Sequence, residues 1–131
     1  MKIAISTSSF AEYDSQCLQL LKDSGYEYVL NRHGRKLVGA EVINLAADTV
    51  GLIAGTEPLD RAVLEKLPLL KVISRCGVGM DNVDLEAATQ LNIKVFNTPL
   101  GPTLAVAELT VGLILDLLRK TTLMDREIRA G

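Results

Sequence analysis

The sequence has no tryptophan, a single histidine, two cysteines and only 4% aromatic residues. Cys17 and Cys76 form no Cys-x-x-Cys pair, and one histidine cannot complete a zinc set with them, so no metal site is expected. The few aromatic side chains leave none beside the predicted loops that could sandwich a flavin ring. Free thiols are typical of a reducing compartment, and we therefore expect a cytoplasmic protein.

An excess of charge and a long apolar run are also missing. The chain has 14 basic and 16 acidic residues and no basic run, so neither nucleic acid nor an anionic membrane is an expected partner. The most apolar window, Leu104–Leu118, is interrupted by Glu108, Thr110 and Asp116 and is shorter than the roughly 20 apolar residues of a membrane span. The first residues lack the apolar segment of a secretory signal.

The pattern along the chain alternates between short apolar runs and amphipathic segments, which predicts repeated strand-helix-strand units. At 131 residues, of which 48% are hydrophobic, the chain has the length and composition of one domain with its own core. The fold class predicted is therefore α/β, a doubly wound five-stranded parallel sheet with helices on both faces. The strands are predicted at Lys2–Ile5, Tyr26–Leu30, Val50–Ala54, Lys71–Ser74 and Lys94–Phe96.

Helix signals lie between these strands. Ser9 and Glu12 have the spacing of a capping box, which predicts that the first helix starts at Ser9, and Gly25 is expected to end it. The remaining helices are predicted at Gly39–Ala46, from the N-cap Asp60 to before Pro68, from Asp84 to near Asn92, and at 102–120. The last helix is apolar on all sides, which predicts that more than one of its faces needs cover.

The most informative segment is the glycine loop, Arg75–Met80, which lies between an apolar strand and a helix. Gly77 and Gly79 allow a sharp turn and a close approach of the backbone to a ligand, and a helix start adds a positive dipole. This geometry suits a carboxylate or a phosphate. Asn82 stands where a dinucleotide-binding loop has its third glycine, so the pattern does not indicate a nicotinamide site, and an ordinary turn remains the alternative.

Other polar loops are expected at the same edge of the sheet, because the carboxyl ends of parallel strands meet there. Gly55 closes the third strand and would form a wall beside the glycine loop, and the guanidinium of Arg75 could bind a carboxylate in a bidentate manner. The hydroxyls of Ser6–Ser9 could bind a phosphate, or Ser9 could cap the first helix. Cys76 and the lone His33 have no defined partner, so no catalytic residue is predicted.

Three longer segments resemble the NAD-dependent D-2-hydroxyacid dehydrogenases. They are Ile73-Ser-Arg-Cys-Gly-Val-Gly-Met-Asp-Asn-Val-Asp-Leu-Glu-Ala-Ala88, Asn97-Thr-Pro99 and Val106-Ala-Glu-Leu-Thr110. The similarity runs over the whole chain, and within the family it is greatest to the phosphoglycerate dehydrogenases. Members with an arginine after the third strand use it on the substrate phosphate, whereas this chain has Ala54-Gly55-Thr56, so the resemblance does not imply 3-phosphoglycerate itself.

The resemblance implies a flavodoxin-like substrate-binding domain over residues 1–131, with the Rossmann NAD-binding domain absent. It implies that Gly77, Val78 and Gly79 bind the substrate carboxylate through backbone N–H groups, with Arg75 beside them. Asn97 and Thr103 would lie near the cofactor NAD of the parent enzyme.

The parent would oxidise a 2-hydroxy acid with NAD, and we expect this chain alone to bind no cofactor and to be inactive. Helix 102–120 would cross to the missing Rossmann domain, and in its absence it would fold back or form a homodimer with another copy. A free-standing flavodoxin-like module for a phosphate or flavin ligand is the alternative.

Overall fold

A computed structural model describes residues 1–131, and its centre is one sheet of five parallel strands. The strand order is β2-β1-β3-β4-β5, which is the flavodoxin-like order, and the predicted fold class is confirmed. Each strand begins and ends within one residue of its predicted position. The strands are β1 Lys2–Ile5, β2 Glu27–Leu30, β3 Gly51–Ala54, β4 Val72–Arg75 and β5 Lys94–Asn97.

Helices connect consecutive strands, and the strand order sets the face on which each helix lies. Across the sheet, β2 lies on one side of β1, whereas β3, β4 and β5 follow in order on the other side. Because the crossovers between parallel strands are right-handed, α1 lies on one face and the next three helices lie on the other. The helices of this region are α1 Gln16–Asp23, α2 Gly39–Ala46, α3 Arg61–Leu64 and α4 Leu85–Gln90.

The main core lies between the sheet and α2, α3 and α4. Side chains alternate along a strand, so Ala4 and Leu52 point into this core, whereas Ile5 is fully buried outside it, on the face of α1. The cluster also contains Val42, Leu64 and the other buried residues of the three helices, together with buried residues of the connecting loops such as Leu37 and Leu59. The largest fully buried apolar side chains are Ile5, Leu37, Leu52, Leu59, Leu64, Leu67 and Ile73.

The predicted helix ends are confirmed except at the start of α1 and at the end of α3, which ends at Leu64, three residues short of the position before Pro68. Asp60 and Asp84 cap α3 and α4 by accepting the N–H of Val63 and Ala87 at 3.0 and 2.8 Å. Gly25, at φ +76°, ends α1 as predicted.

The predicted start of α1 at Ser9 is wrong, because this helix begins at Gln16. Ala11 has a left-handed backbone at φ +61°, which interrupts any helix that begins at Ser9. The Asp14 carboxylate instead accepts the N–H of Gln16 at 2.8 Å. Ser9 is therefore not a helix cap.

The chain divides into two compact units, Met1–Thr98 and Pro99–Gly131, which we call the sheet unit and the helical unit. The helical unit contains α5 Thr103–Arg119, within one residue of the prediction, and α6 Thr121–Ala130, which the sequence pattern did not indicate. Lys120 has a left-handed backbone between them, and Asp116 accepts the N–H of Thr122 at 2.8 Å. None of the helices has the length and hydropathy needed to cross a membrane.

Candidate functional site

The glycine loop follows β4, and hydrogen bonds hold its first half against the ends of β3 and β5. The N–H of Cys76 donates to Ala54 O at 2.7 Å. The N–H of Gly77 donates to the Thr98 hydroxyl at 2.7 Å, and the N–H of Thr98 donates to Gly77 O at 3.1 Å. Asn97 Nδ2 donates to Val78 O at 2.8 Å. This half of the loop is therefore fixed at four points.

The segment after the loop is held by Asn82. Its Nδ2 donates to Gly55 O at 3.2 Å and to Glu57 O at 2.7 Å. Its carbonyl accepts the N–H of Leu59 at 2.8 Å, and Leu59 forms an isolated parallel bridge with Val83. The glycine loop is thus fixed on both sides.

Between these fixed ends, the N–H groups of Val78 and Gly79 donate to no acceptor in the chain. Both residues are exposed, so water or a ligand can reach them. Successive free N–H groups in a glycine turn form a concave anion-binding surface. The loop therefore has the donors that a carboxylate requires, although the N–H of Gly77 is already occupied by Thr98.

Arg75 lies directly over the glycine loop. Its Nη1 donates to Cys76 O at 3.0 Å, and a Cβ on Gly77 would lie 1.3 Å from that Nη1. Gly77 also has φ +143°, which side-chain-bearing residues rarely adopt. Arg75 Nε is buried and has no hydrogen-bond partner. Because the guanidinium lies this close, residue 77 must be glycine. The same guanidinium places positive charge beside the free N–H groups.

Gly55 lies on the other side of the site, but its main chain is already hydrogen-bonded. Its N–H donates to Glu57 Oε1 at 2.8 Å, and its carbonyl accepts from Asn82. Glu57 is only 1% exposed, and the Ser6 hydroxyl, which is fully buried, donates to the same carboxylate oxygen. Gly55 can therefore shape a wall of the site, whereas it has no free N–H group for a ligand.

Six of the predicted site residues belong to the sheet unit, and hydrogen bonds and close contacts connect them. They are Gly55, Arg75, Gly77, Val78, Gly79 and Asn97. Thr103 is the first residue of α5 in the helical unit. Glu57, Asn82 and Thr98 were not assigned to the site from the sequence. The sequence signals for two of them are weak: Asn82 stands in place of a third glycine, and Thr98 follows Asn97.

Cys76 belongs to the glycine loop, whereas His33 follows a different strand. Burial raises the pKa of the Cys76 thiol, and the nearby Arg75 lowers it by less, so the thiol stays protonated at neutral pH. His33 lies in the polar turn after β2, at one edge of the sheet, whereas the glycine loop follows β4 on the far side of β1 and β3.

The strand order and the loop at the carboxyl ends of the strands define a flavodoxin-like α/β protein with a candidate anion site. Residues 4–128 match the sequence model of a protein family, described as the catalytic domain of D-isomer specific 2-hydroxyacid dehydrogenases. The chain belongs to this family, as the resemblance predicted. Its sheet unit has the flavodoxin-like fold of the family's substrate-binding domain.

Relatives in sequence and in structure agree with this assignment. The D-3-phosphoglycerate dehydrogenase of Sus scrofa is 40% identical over 131 residues. The TT0316 protein of Thermus thermophilus superposes over 100% of this chain with a TM-score of 0.90 and 33% identity. The NAD+-bound 3-phosphoglycerate dehydrogenase of Entamoeba histolytica covers 88% of this chain with a TM-score of 0.74 and 31% identity.

The chain spans only part of these proteins. It covers 23% of the Sus scrofa enzyme, 41% of the Thermus thermophilus protein and 38% of the Entamoeba histolytica enzyme. The similarity to phosphoglycerate dehydrogenases is as predicted. The alternative, a free-standing flavin or phosphate module, is not favoured by these relationships.

Proposed function

We propose that the glycine loop binds the carboxylate of a small 2-hydroxy or 2-oxo acid, as the substrate-binding part of a D-2-hydroxyacid dehydrogenase. The observation that carries this proposal is the pair of free, exposed N–H groups at Val78 and Gly79, within a loop fixed on both sides. A loop fixed in this way keeps both donors in position before the ligand arrives, which lowers the entropy lost on binding.

Arg75 supplies the positive charge for the same ligand. Hydrogen bonds between a guanidinium and a carboxylate are charge-assisted and roughly twice as strong as neutral ones. The Nη1 of Arg75 donates to Cys76 O and its Nε is buried, whereas its Nη2 donates to no acceptor in the chain and is the donor left for a ligand carboxylate.

The proposal is tested by titrating the 131-residue chain with D-glycerate and following its backbone amides by ¹⁵N NMR. We expect the amide resonances of Val78 and Gly79 to shift the most, because their N–H groups become hydrogen-bonded. Arg75→Gln should raise the Kd about tenfold, since a hydrogen bond to a charged group is worth about 1.5–3 kcal/mol.

The matched control is Arg61→Gln, which removes the same charge from α3, where the guanidinium donates to the exposed Gln90. Its Kd should stay within about twofold of the wild type, because a surface substitution away from the site has little effect. Shifts that are spread evenly over the surface, or equal effects of the two substitutions, would contradict the proposal.

In the complete enzyme, we propose that NAD oxidises the bound 2-hydroxy acid and that Asn97 and Thr103 lie near the cofactor. The residues of this chain do not form a dinucleotide loop, because Asn82, in place of a third glycine, is hydrogen-bonded to Gly55 and Glu57. The 131-residue chain should therefore neither bind NAD nor oxidise NADH with a 2-oxo acid. Turnover of NADH by the purified chain would overturn this expectation.

We also propose that α5 forms a homodimer interface with a second copy of the chain. Nine large apolar side chains of this helix are each more than half exposed, and they lie on all sides of it. Exposed apolar area costs about 25 cal/mol per Å², and an apolar surface of this kind usually has a partner. The side chains are Leu104, Val106, Leu109, Val111, Leu113, Ile114, Leu115, Leu117 and Leu118.

Light scattering over a dilution series tests the homodimer. The wild type should change from dimer to monomer on dilution, and Leu113→Glu should be monomeric throughout. The control, Leu69→Glu, places the same charge on a leucine of similar exposure in the sheet unit and should behave as the wild type. A wild type that is monomeric at every concentration would contradict the proposal.

A further inference from the structure

We propose that Asn82 is a positioning residue of the binding site and that buried Glu57 supports it. The inference rests on the proposed function, since it concerns how the free N–H groups of Val78 and Gly79 are kept in place. Asn82 touches neither of these groups. It acts on them by connecting the end of the glycine loop to the turn that follows β3, which begins at Gly55.

The carboxamide of Asn82 matches the two acceptors opposite it. An asparagine NH2 group has two hydrogens, and here Nδ2 contacts two carbonyls, Gly55 O at 3.2 Å and Glu57 O at 2.7 Å. These hydrogen bonds are partly buried, so water can replace them only in part. No other residue type of similar size offers two hydrogens on one atom in this direction.

Backbone hydrogen bonds extend the same connection. Leu59 donates its N–H to Asn82 O at 2.8 Å, and Asp84 donates its N–H to Leu59 O at 3.0 Å. The segments after β3 and β4 therefore run side by side and are joined by hydrogen bonds. The end of the glycine loop is held by this contact, whereas its beginning is held by Thr98 and Asn97.

Glu57 makes the turn opposite Asn82 rigid. Its side chain is 1% exposed, and its Oε1 accepts hydrogen bonds from the N–H of Gly55 and from the buried Ser6 hydroxyl. The side chain and the carbonyl of the same residue thus contact different partners, the carbonyl being the acceptor for Asn82. Through these contacts, the ends of β1, β3 and β4 are joined at the site.

The test replaces Asn82 in the 131-residue chain and measures both the loop and the ligand affinity. Asn82→Asp has almost the same shape, yet it removes both hydrogens and places an oxygen against two carbonyl oxygens. Asn82→Ser is uncharged and too short to reach both carbonyls, and it serves if the aspartate variant does not fold. The matched control is Asn44→Asp, the same change at an exposed position of α2.

In the folded variant at residue 82, we expect the Kd for D-glycerate to rise at least about tenfold and the ligand-free amides of Val78 and Gly79 to shift, since buried hydrogen bonds are lost. The control should stay within about twofold and leave these amides unchanged. A residue with a merely structural role would lower the unfolding temperature without changing the Kd of the folded protein.

A folded Asn82 variant with wild-type affinity and unchanged loop amides would overturn the inference. If the wild type does not bind D-glycerate, the proposed function fails. The inference is then decided by the amide resonances of Val78 and Gly79 without ligand. A shift of these resonances on substitution of Asn82 supports it, and unchanged resonances overturn it.

Discussion

The sheet unit and the helical unit differ in what they bury. All 17 buried hydrophobic residues lie within Met1–Thr98, and none lies within Pro99–Gly131. Yet α5 is among the most apolar segments of the chain. Apolar composition therefore does not by itself indicate burial, because a helix that is apolar on all sides needs neighbours on several sides.

The two units should therefore differ in their contribution to the stability of the chain. The sheet unit has a core, capped helices and a parallel sheet, so it should unfold cooperatively. The helical unit has no buried hydrophobic residue, and most helical stability in proteins comes from tertiary packing of an apolar face. Substitutions should therefore have large effects in the sheet unit and small effects in the helical unit.

The largest expected difference comes from truncating an apolar side chain in each unit. Ile73→Ala removes most of a side chain that is 0% exposed at the centre of β4, and it should lower the free energy of unfolding by about 2–5 kcal/mol. At a dilution where the chain is monomeric, Leu117→Ala removes a side chain that is 78% exposed, and it should change that free energy by less than about 0.5 kcal/mol. Urea unfolding followed by circular dichroism measures both, and equal effects of the two substitutions would show that the two units do not differ in burial.

The second difference concerns glycine. Gly77→Ala forces alanine into φ +143° and displaces Arg75, so it should destabilise the sheet unit by about 1–3 kcal/mol and abolish D-glycerate binding. Gly112→Ala lies in open space within α5, where alanine favours the helix by about 1 kcal/mol. The two substitutions should thus have opposite effects. Gly77→Ala should lower the free energy of unfolding, and Gly112→Ala should raise the helix content. A destabilising Gly112→Ala would show that α5 is covered at that position.

A third, smaller difference comes from helix capping. Asp84→Ala removes the acceptor for the N–H of Ala87 and should cost about 1 kcal/mol in the unfolding of the sheet unit. Asp116→Ala removes the acceptor for the N–H of Thr122, so it should reduce the helix content of α6 and leave the main unfolding transition in place. Chemical denaturation and helix-sensitive circular dichroism separate the two results. A main transition that shifts with Asp116→Ala would contradict the separation of the units.

Much of the sheet unit could be predicted from the sequence because its signals are local. Apolar runs mark the strands, and Asp60, Asp84 and Gly25 mark helix ends through the bonds or the backbone angle that each residue type permits. The start of α1 was mispredicted because Ser9 and Glu12 have the capping-box spacing, whereas the left-handed backbone of Ala11 leaves no sequence signal.

The candidate site was predictable only in part. The glycine spacing located the loop, since glycine is the residue that allows its turn. The residues that hold the loop act between distant parts of the chain: Asn82 contacts Gly55, and Glu57 contacts Ser6. Such pairings depend on which strands are neighbours, so they emerge only once the fold is known.

The smallest expected difference is in the response to acid. In the sheet unit, the Arg35 side chain and the N–H of Val38 hydrogen-bond Glu41 and lower its pKa from 4.5 to about 2. In the helical unit, Thr121 and Thr122 lower the pKa of Asp116 by the same kind of bond.

A carboxyl group with a lowered pKa stabilises the folded state when it is charged. The contribution of Glu41 is therefore complete above about pH 4.5 and is lost as the pH falls toward about 2. Carboxyl ¹³C NMR should show Glu41 titrating near 2, and Arg35→Gln should return its pKa toward 4.5, whereas Arg61→Gln should leave it unchanged. If Glu41 titrated at its ordinary value in the wild type, its hydrogen bond to Arg35 would not persist in solution.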